Sequence, residues 1–423
     1  MAKREYYDLS LETMPRSERE KYFNEKLRWI VNYAYRKAPA VREKFDRAGV
    51  KPSQIRSVKD LELVPITRKD ELIKLQQERP VFGGFLTTSP EKLRRIFISP
   101  GPIYDPQGDV DDYWQGAKVL YAAGLRKGDV VLNTFAYHLT PAGCMMDEAA
   151  RKLGCTVIPS GVGNTDLQVQ LLYQLKVTAF IGTPSFLMTI IKRAEELGYD
   201  FHRFSLRHAF LGAEMVPPSM KKIFEEDYGI RVTEGYGSAD VGMIAYECDQ
   251  KSGLHICDHL IIEIVDPTTN KTLGPGEVGE VVVTLFNKIY PLIRFGIGDA
   301  SLYTAEPCPC GRTSDRLVRI VGRVGDAVKV RGMFLHPRQV EEALSKFPQV
   351  SRFQTVVSRV GHRDVFTYRI ELSDETVNQK ELAEAIQKES LSIVKLKADK
   401  IEFVPQGTIP EGAKKLVDAR TWE

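Results

Sequence analysis

The stretch Ala179-Phe-Ile-Gly-Thr-Pro-Ser-Phe-Leu-Met-Thr-Ile-Ile-Lys-Arg-Ala-Glu-Glu-Leu-Gly198 decides the fold. Ala179–Gly182 is a short apolar run of strand length, bounded by Pro184. Pro184–Leu197 then carries a helical pattern that Gly198 closes. The same punctuation recurs around it. Val130–Tyr137, Cys155–Pro159, His208–Gly212 and Arg231–Gly235 are further apolar runs bounded by Gly or Pro, and Tyr113–Ala123 is a helix-length pattern closed by Gly124. Strands alternating with helices predict βαβ units and a largely parallel sheet.

Outward from this block the pattern changes on both sides. Up to about Lys92 the chain reads as helical and irregular, with an amphipathic stretch from Ser17 to Arg47. Beyond Cys248, the runs Leu260–Val265, Glu280–Phe286 and Ser301–Thr304 are strand-like and separated by turn signals such as Gly274-Pro275-Gly276, which predicts an antiparallel subregion. Two glycines in Gly322-Arg-Val-Gly-Asp326 suggest a hinge. The expected organisation is an α/β body over 1–321 with mixed and parallel sheets, a hinge at 322–326 and a small mobile α+β domain over 326–423.

Composition excludes several classes. The 423 residues carry 59 Lys+Arg against 56 Asp+Glu, a net charge of +3, so neither nucleic acid nor a membrane surface is favoured as partner. Val130–Met146 and Val177–Ile191, among the longest stretches free of charge, fall short of the roughly 20 apolar residues of a membrane span. The charged start Met-Ala-Lys-Arg-Glu lacks the apolar core of a secretory signal, which leaves a cytoplasmic address as the expectation.

Six cysteines are too few for a disulfide scaffold. Their placement says more. Cys308-Pro-Cys310-Gly311 is a tight knuckle, and Cys248 and His255 stand earlier in the same subregion, at about 245–312. Three thiolates and one imidazole make a closed tetrahedral zinc shell. Cys257 competes with His255 for the fourth position, while Cys144 and Cys155 read as core.

Several strings then fall in order: Thr183-Pro184-Ser185, Gly212-Ala213-Glu214, Glu234-Gly235-Tyr236-Gly237, Gly253-Leu254-His255, Gly276-Glu277-Val278-Gly279-Glu280, Arg294-Phe-Gly-Ile-Gly-Asp299, Gly322-Arg323-Val-Gly-Asp326 and Arg331-Gly332-Met-Phe-Leu-His-Pro337. Together they resemble the adenylate-forming superfamily, most closely its phenylacetate–coenzyme A ligase branch, from about Tyr22 to Arg420. The resemblance implies an enzyme that uses ATP and Mg2+ to turn a carboxylic acid into an acyl adenylate. It then passes the acyl group to coenzyme A, releasing AMP. It also implies small-molecule partners, and it allows a homodimer.

The resemblance assigns roles residue by residue. Ala213 and Glu214 would flank the adenine, with Glu234 near its amine. Gly235, Tyr236 and Gly237 would border the nucleotide and acyl sites. Asp299 would accept the ribose hydroxyls and Arg323 would reach ribose or phosphate. Asp240 stands where the family has a magnesium-binding glutamate. Phe135, Tyr137 and His138 would line a ring-rich pocket for an aryl or arylalkyl acid; a strand-capping role for His138 stays open.

Three departures mark this chain. The family's phosphate loop ends in lysine, whereas Ile98-Ser-Pro-Gly-Pro-Ile-Tyr-Asp-Pro-Gln-Gly108 has three prolines without amide protons, no lysine, and Asp105. Ser99 keeps the older character, and Arg94 and Arg95 are candidates for the missing charge. The hinge has Gly325 before Asp326. The C-terminal catalytic lysine is displaced to Lys414 in Pro410-Glu-Gly-Ala-Lys414-Lys415, with solvated surface charges as the alternative. Two other functions therefore stay open: adenylation with a non-CoA acceptor, as in deazaflavin-cofactor synthetases, and a catalytically degenerate nucleotide- or acyl-binding protein.

Overall fold

The computed structural model describes residues 5–421 apart from Thr268, Val278, 325–327, Gly332, His336, Glu375 and Lys395. The expected hinge residues Gly325 and Asp326 lie outside the described residues. Two compact units emerge, one of Met1–Val216 with Lys221–Val324 and one of Pro217–Met220 with Gly325–Glu423. Among the described residues, no helix is long and apolar enough to cross a membrane.

The larger unit is organised by one 12-stranded sheet. Its parallel part runs in the order Thr156–Pro159, Val130–Asn133, Ala179–Gly182, His208–Leu211, Arg231–Ser238. All four residues of Ala179–Gly182 are buried, as a strand covered on both faces requires. Thr183 Oγ1 accepts from the Phe186 amide at 3.3 Å, starting the helix Pro184–Glu196.

Arg231–Ser238 is the switch between the two halves of the sheet. Its first half pairs in parallel with His208–Leu211, and its second half pairs antiparallel with Gly242–Glu247. The sheet then continues through Leu254–Ile256, Arg316–Arg323, Phe295–Thr304, Gly279–Leu285 and Leu260–Val265. The antiparallel strands are thus continuous with the parallel ones. Turn spacing alone does not reveal this continuity, because it is made by strand pairs far apart in the chain.

Against this half lie two N-terminal helices, Arg16–Lys37 and Pro39–Arg47, whose Leu27, Ile30, Val31 and Phe45 share a buried cluster with Leu260, Val281 and Phe295. The single amphipathic stretch expected over Ser17–Arg47 breaks at Ala38, which is extended (φ −108°, ψ 107°) because Pro39 disfavours helix at the residue before it.

The smaller unit holds a four-stranded sheet in the order Lys400–Val404, Arg363–Leu372, Val350–Val360, Leu416–Asp418. Helices Pro337–Leu344 and Gln379–Val394 accompany it, and its core is built on Val357, Phe366, Tyr368, Ile370 and Ile386.

Candidate functional site

Ligands of open α/β sheets bind beyond the carboxyl ends of the strands. The segments singled out from the sequence lie there: Phe135–His138 follows Val130–Asn133, Thr183 follows Ala179–Gly182, and Gly212–Glu214 follows His208–Leu211. The strand Arg231–Ser238 itself carries Glu234–Gly237. Ala213 has a left-handed backbone (φ 66°), a conformation that non-glycine residues keep chiefly where the surroundings enforce it. Gly237 is dictated by close approach, since a Cβ there would sit 2.6 Å from the Gly242 carbonyl oxygen.

Asp299 is the best-organised member. It faces Arg323 across the strand pair, and the guanidinium Nε lies 3.0 Å from its Oδ1. The Tyr236 hydroxyl donates to Oδ2 at 2.8 Å. Burial and the Asp299 charge push the Tyr236 hydroxyl well above its ordinary pKa, so it remains a donor. The carboxylate is therefore oriented, with lone pairs left over for two further donors.

Glu234 and Glu247 converge on one ammonium: Lys221 Nζ lies 2.8 Å from Glu234 and 2.7 Å from Glu247. The Ser185 amide reaches Glu214 at 3.4 Å. In the expected acid pocket, the Tyr137 hydroxyl accepts from Asn133 Nδ2 at 2.8 Å and donates to Asp147 Oδ2 at 3.1 Å. Phe135 is half-buried and His138 is exposed. Lys221, Glu247, Asn133 and Asp147 carried no motif and went unread in the sequence.

The stretch expected as a phosphate loop is a β-hairpin. Leu93–Ser99 pairs with Ile103–Gly108, and the Ser99↔Ile103 pair leaves only Pro100-Gly101-Pro102 as the turn. Of these three, only Gly101 has an amide proton. Asp105 does not point out at solvent. It is 2% exposed, and beside it lie Ser99 (4%) and, from the strand switch, Asp240 (7%). Burial and the Asp240 charge push the Asp105 carboxyl up to about 8. Lys69, in the first turn of the helix Lys69–Glu78, bonds Asp240 Oδ2 at 2.7 Å. Lys69 was missed because an isolated lysine in a charged first turn has no distinguishing pattern.

The suggestion that Arg94 and Arg95 supply charge to this turn is overturned. Arg94 pairs with Asp109 (2.8 Å) and Glu148 (3.3 Å), and Arg95 pairs with Glu148 (2.7 Å). They sit at the end of the hairpin opposite the turn, because Leu93 pairs with Gly108 there.

Cys248, His255, Cys308 and Cys310 form a second, separate cluster, all buried, with ligand atoms within 4.8 Å of one another. Cys248 Sγ lies 3.7 Å from Cys308 Sγ, and Cys310 Sγ lies 3.4 Å from His255 Nε2. A tetrahedral zinc with Zn–S of about 2.3 Å and Zn–N of about 2.0 Å has edges of roughly 3.8 and 3.5 Å, so the donor set fits that ion. The His255 Nδ1 meets Ser314 Oγ at 3.0 Å, which would hold Nε2 toward a metal. Hydrogen bonds from Cys248 and His255 pull the Cys310 thiol far below its ordinary pKa, while the Cys310 bond and burial push Cys248 up. Cys257 stays outside the cluster and is simply buried.

In the smaller unit, Lys415 Nζ is paired with Glu341 and lies over the Phe353 ring. Lys414 is exposed; its carbonyl accepts from Gln354, and among the described residues its ammonium has no partner. Asp326, Lys329 and Gly332 carry motif positions whose side chains or backbone fall outside what is described.

Comparisons with known proteins match this arrangement. Residues 113–285 match the AMP-binding enzyme family model, and residues 332–420 match the AMP-binding enzyme C-terminal domain. The chain is 33% identical over 381 residues to a phenylacetate–coenzyme A ligase of Thermus thermophilus, covering 87% of this chain and 84% of that one. It is also 33% identical over 382 residues to the phenylacetate–coenzyme A ligase of Escherichia coli, with 87% and 85% covered. A crystal structure of 2-hydroxyisobutyryl-CoA ligase in complex with 2-HIB-AMP and CoA superposes with a TM-score of 0.91 at 27% identity, covering 98% of this chain and 92% of that one.

Proposed function

The chain belongs to the phenylacetate–coenzyme A ligase family of AMP-binding enzymes, and from that premise we propose how its residues perform an AMP-forming acid–CoA ligation. A carboxylate is a poor electrophile until one of its oxygens is tied to a good leaving group. In the first step the acid's oxygen attacks the α-phosphorus of ATP and pyrophosphate departs. In the second, the sulfur of CoA attacks the acyl carbonyl and AMP departs with the electron pair of the C–O bond.

The observation that carries the residue assignment is the Tyr236–Asp299–Arg323 group. A carboxylate braced on two sides and still able to accept is suited to the paired hydroxyls of a ribose. Ala213 and Glu214 then flank the adenine, with Glu234, tethered by Lys221, at its amine. Gly235 and Gly237 keep the strand wall low enough for the acyl phosphate. Lys414, whose ammonium has no partner among the described residues, brings positive charge to the α-phosphate during adenylation. The intact ribose group argues against a degenerate binding protein.

The acid is an aryl or arylalkyl carboxylate, a reading supported by Phe135, Tyr137 and His138 at a strand end and by the phenylacetate ligases among its relatives. Mg2+ would be held at Asp240, whose buried Oδ1 has no hydrogen-bond partner among the described residues. It would supply charge neutralisation for the phosphates. Zn2+ is held by Cys248, His255, Cys308 and Cys310 as a closed structural site without a step in the reaction. Zinc analysis of metal-washed protein is expected to give one ion per chain.

Pyrophosphate release across aryl, arylalkyl and short aliphatic acids, with and without CoA, tests the function. Fastest release with an arylalkyl acid and formation of its CoA thioester is expected. Pyrophosphate release without thioester would point to a different acyl acceptor, and no release with any acid would sink the ligase reading.

A further inference from the structure

Lys414 stands on a piece of chain that the sheet of the smaller unit does not itself support. In the order Lys400–Val404, Arg363–Leu372, Val350–Val360, Leu416–Asp418, the two outer strands follow one another in sequence. Residues 405–415 therefore cross one end of the sheet, past Leu372 and Val350, and Lys414 lies near the far end of that crossing. A crossing segment belongs to no ladder, so its backbone groups need partners from elsewhere.

Two side chains supply them at mid-crossing. Arg352 and Glu371 are cross-strand partners on the two inner strands. The Ile409 amide donates to Glu371 Oε1 at 2.5 Å, and the Ile409 carbonyl accepts from Arg352 at 3.2 Å. The Gly407 and Thr408 amides act on the same carboxylate; these amides, that of Ile409 foremost, hold Glu371 below its ordinary pKa. Buried positions alternate along this strand at Asp364, Phe366, Tyr368 and Ile370, and Glu371 falls out of that alternation yet is 2% exposed. Beyond Ile409, the Ala413 amide closes a turn on the Pro410 carbonyl at 3.1 Å. Gln354 then donates to the Lys414 carbonyl at 3.1 Å, and the Thr355 amide to the Lys415 carbonyl at 2.8 Å. The backbone is moored on both sides of Lys414, while its ammonium has no partner among the described residues.

We infer that Glu371 is a positioning residue for adenylation, a buried carboxylate that fixes the backbone of residues 407–409 so that Lys414 is presented in one place. The inference rests on the reading above that Lys414 serves the α-phosphate. A carboxylate suits the task because it only accepts and has lone pairs enough for several amides, whereas a carboxamide would turn an N–H toward them. Presentation matters because a misplacement of about 1 Å can cost a hundredfold in rate.

The test measures pyrophosphate release by full-length protein, with ATP and the fastest acid of the panel above, for Glu371→Ala, Glu371→Gln, Lys414→Ala and the double variant Glu371→Ala/Lys414→Ala. Glu371→Ala is expected to lower kcat for adenylation by about a hundredfold, with the KM values for ATP and acid within about twofold of wild type. Glu371→Gln keeps one acceptor for Ile409 and should lose only about fivefold. Thioester formation from supplied acyl adenylate should be unmoved in both. Because Glu371 acts through Lys414, adding Glu371→Ala to Lys414→Ala should slow adenylation by less than about twofold more. Losses that multiply in the double variant, or a thioester step that falls in parallel, would show a general structural role and overturn the inference. Melting temperatures check that each variant folds; where Glu371→Ala does not, Glu371→Gln takes its place in the double variant. If Lys414→Ala is slow and both Glu371 variants adenylate at the wild-type rate, the inference alone fails. If Lys414→Ala adenylates normally, the Lys414 reading fails and takes the inference with it.

Discussion

The proposed ribose side and the proposed triphosphate side of the nucleotide site are built on opposite principles. Around Asp299 both oxygens already have partners, Tyr236 at 2.8 Å and Arg323 at 3.0 Å. Around the hairpin, Asp105, Asp240 and Ser99 have buried oxygens without well-formed bonds, and the turn offers a single amide. The first region is preorganised and needs only its ligand's hydroxyls. The second is unsatisfied as it stands: the Asp105 carboxyl is pushed up to about 8 by burial and the Asp240 charge, and Lys69 bonds Asp240. A polar site complete in itself reads out as rigidity, whereas one with orphaned acceptors reads out as a requirement for a further component.

This contrast can be broken at several points. Lys414→Ala should have the largest effect, lowering the rate of adenylation by about a thousandfold, the scale of a lost transition-state charge contact. Thioester formation from supplied acyl adenylate should be spared; if both half-reactions survive, Lys414 does not serve the phosphate side. Asp299→Ala should lower kcat/KM for ATP by about a hundredfold through lost charge-assisted hydrogen bonds. An unchanged ATP dependence in steady-state kinetics would remove the ribose assignment.

Tyr236→Phe should be milder, about tenfold in the affinity for AMP by calorimetry, because Arg323 still braces the carboxylate. A loss as large as that of Asp299→Ala would mean that Tyr236 contacts the nucleotide directly. The smallest effect concerns the scaffold beneath the ribose side. Lys44 Nζ bonds Thr67 Oγ1 (2.9 Å) and the Ile293 carbonyl (2.7 Å), next to the strand that bears Asp299, and burial pulls its pKa down to about 7. Between about pH 7 and its ordinary value of 10.5, the unfolded chain holds a proton that the folded chain has released. Stability should therefore rise with pH across that window. Urea titrations of wild type and Lys44→Met should differ in this slope, and parallel curves would show that Lys44 stays charged when folded.

Much of the fold was legible because its signals are local. Ala179–Gly182 and Pro184–Glu196 follow from an apolar run, a proline and a closing glycine within twenty residues. The cysteine knuckle was legible because thiols and imidazole at such spacing have few other uses, and the structure gathers His255 rather than Cys257 with the three sulfurs. The hairpin was not legible as a hairpin. Its three prolines signal a loop, and only the pairing of Ile103–Gly108 with Leu93–Ser99 places two of them at the turn and Pro106 within a strand that pairs on one side only. Arg94 and Arg95 misled for a related reason: proximity in sequence to a turn says nothing of which end of a hairpin a side chain occupies.

The sequence by itself determined the alternating strands and helices around Ala179–Gly198, the ordered motifs and therefore the family, since strand runs, helix stops and motif glycines are properties of neighbouring residues. The tertiary structure alone decided which distant groups meet: Tyr236 with Asp299, Lys221 between Glu234 and Glu247, and Asp105 with Asp240 under a proline turn. Such encounters depend on strand register and on the switch from parallel to antiparallel pairing at Arg231–Ser238. Register is fixed by contacts spread over the whole sheet, and no local stretch of sequence contains them.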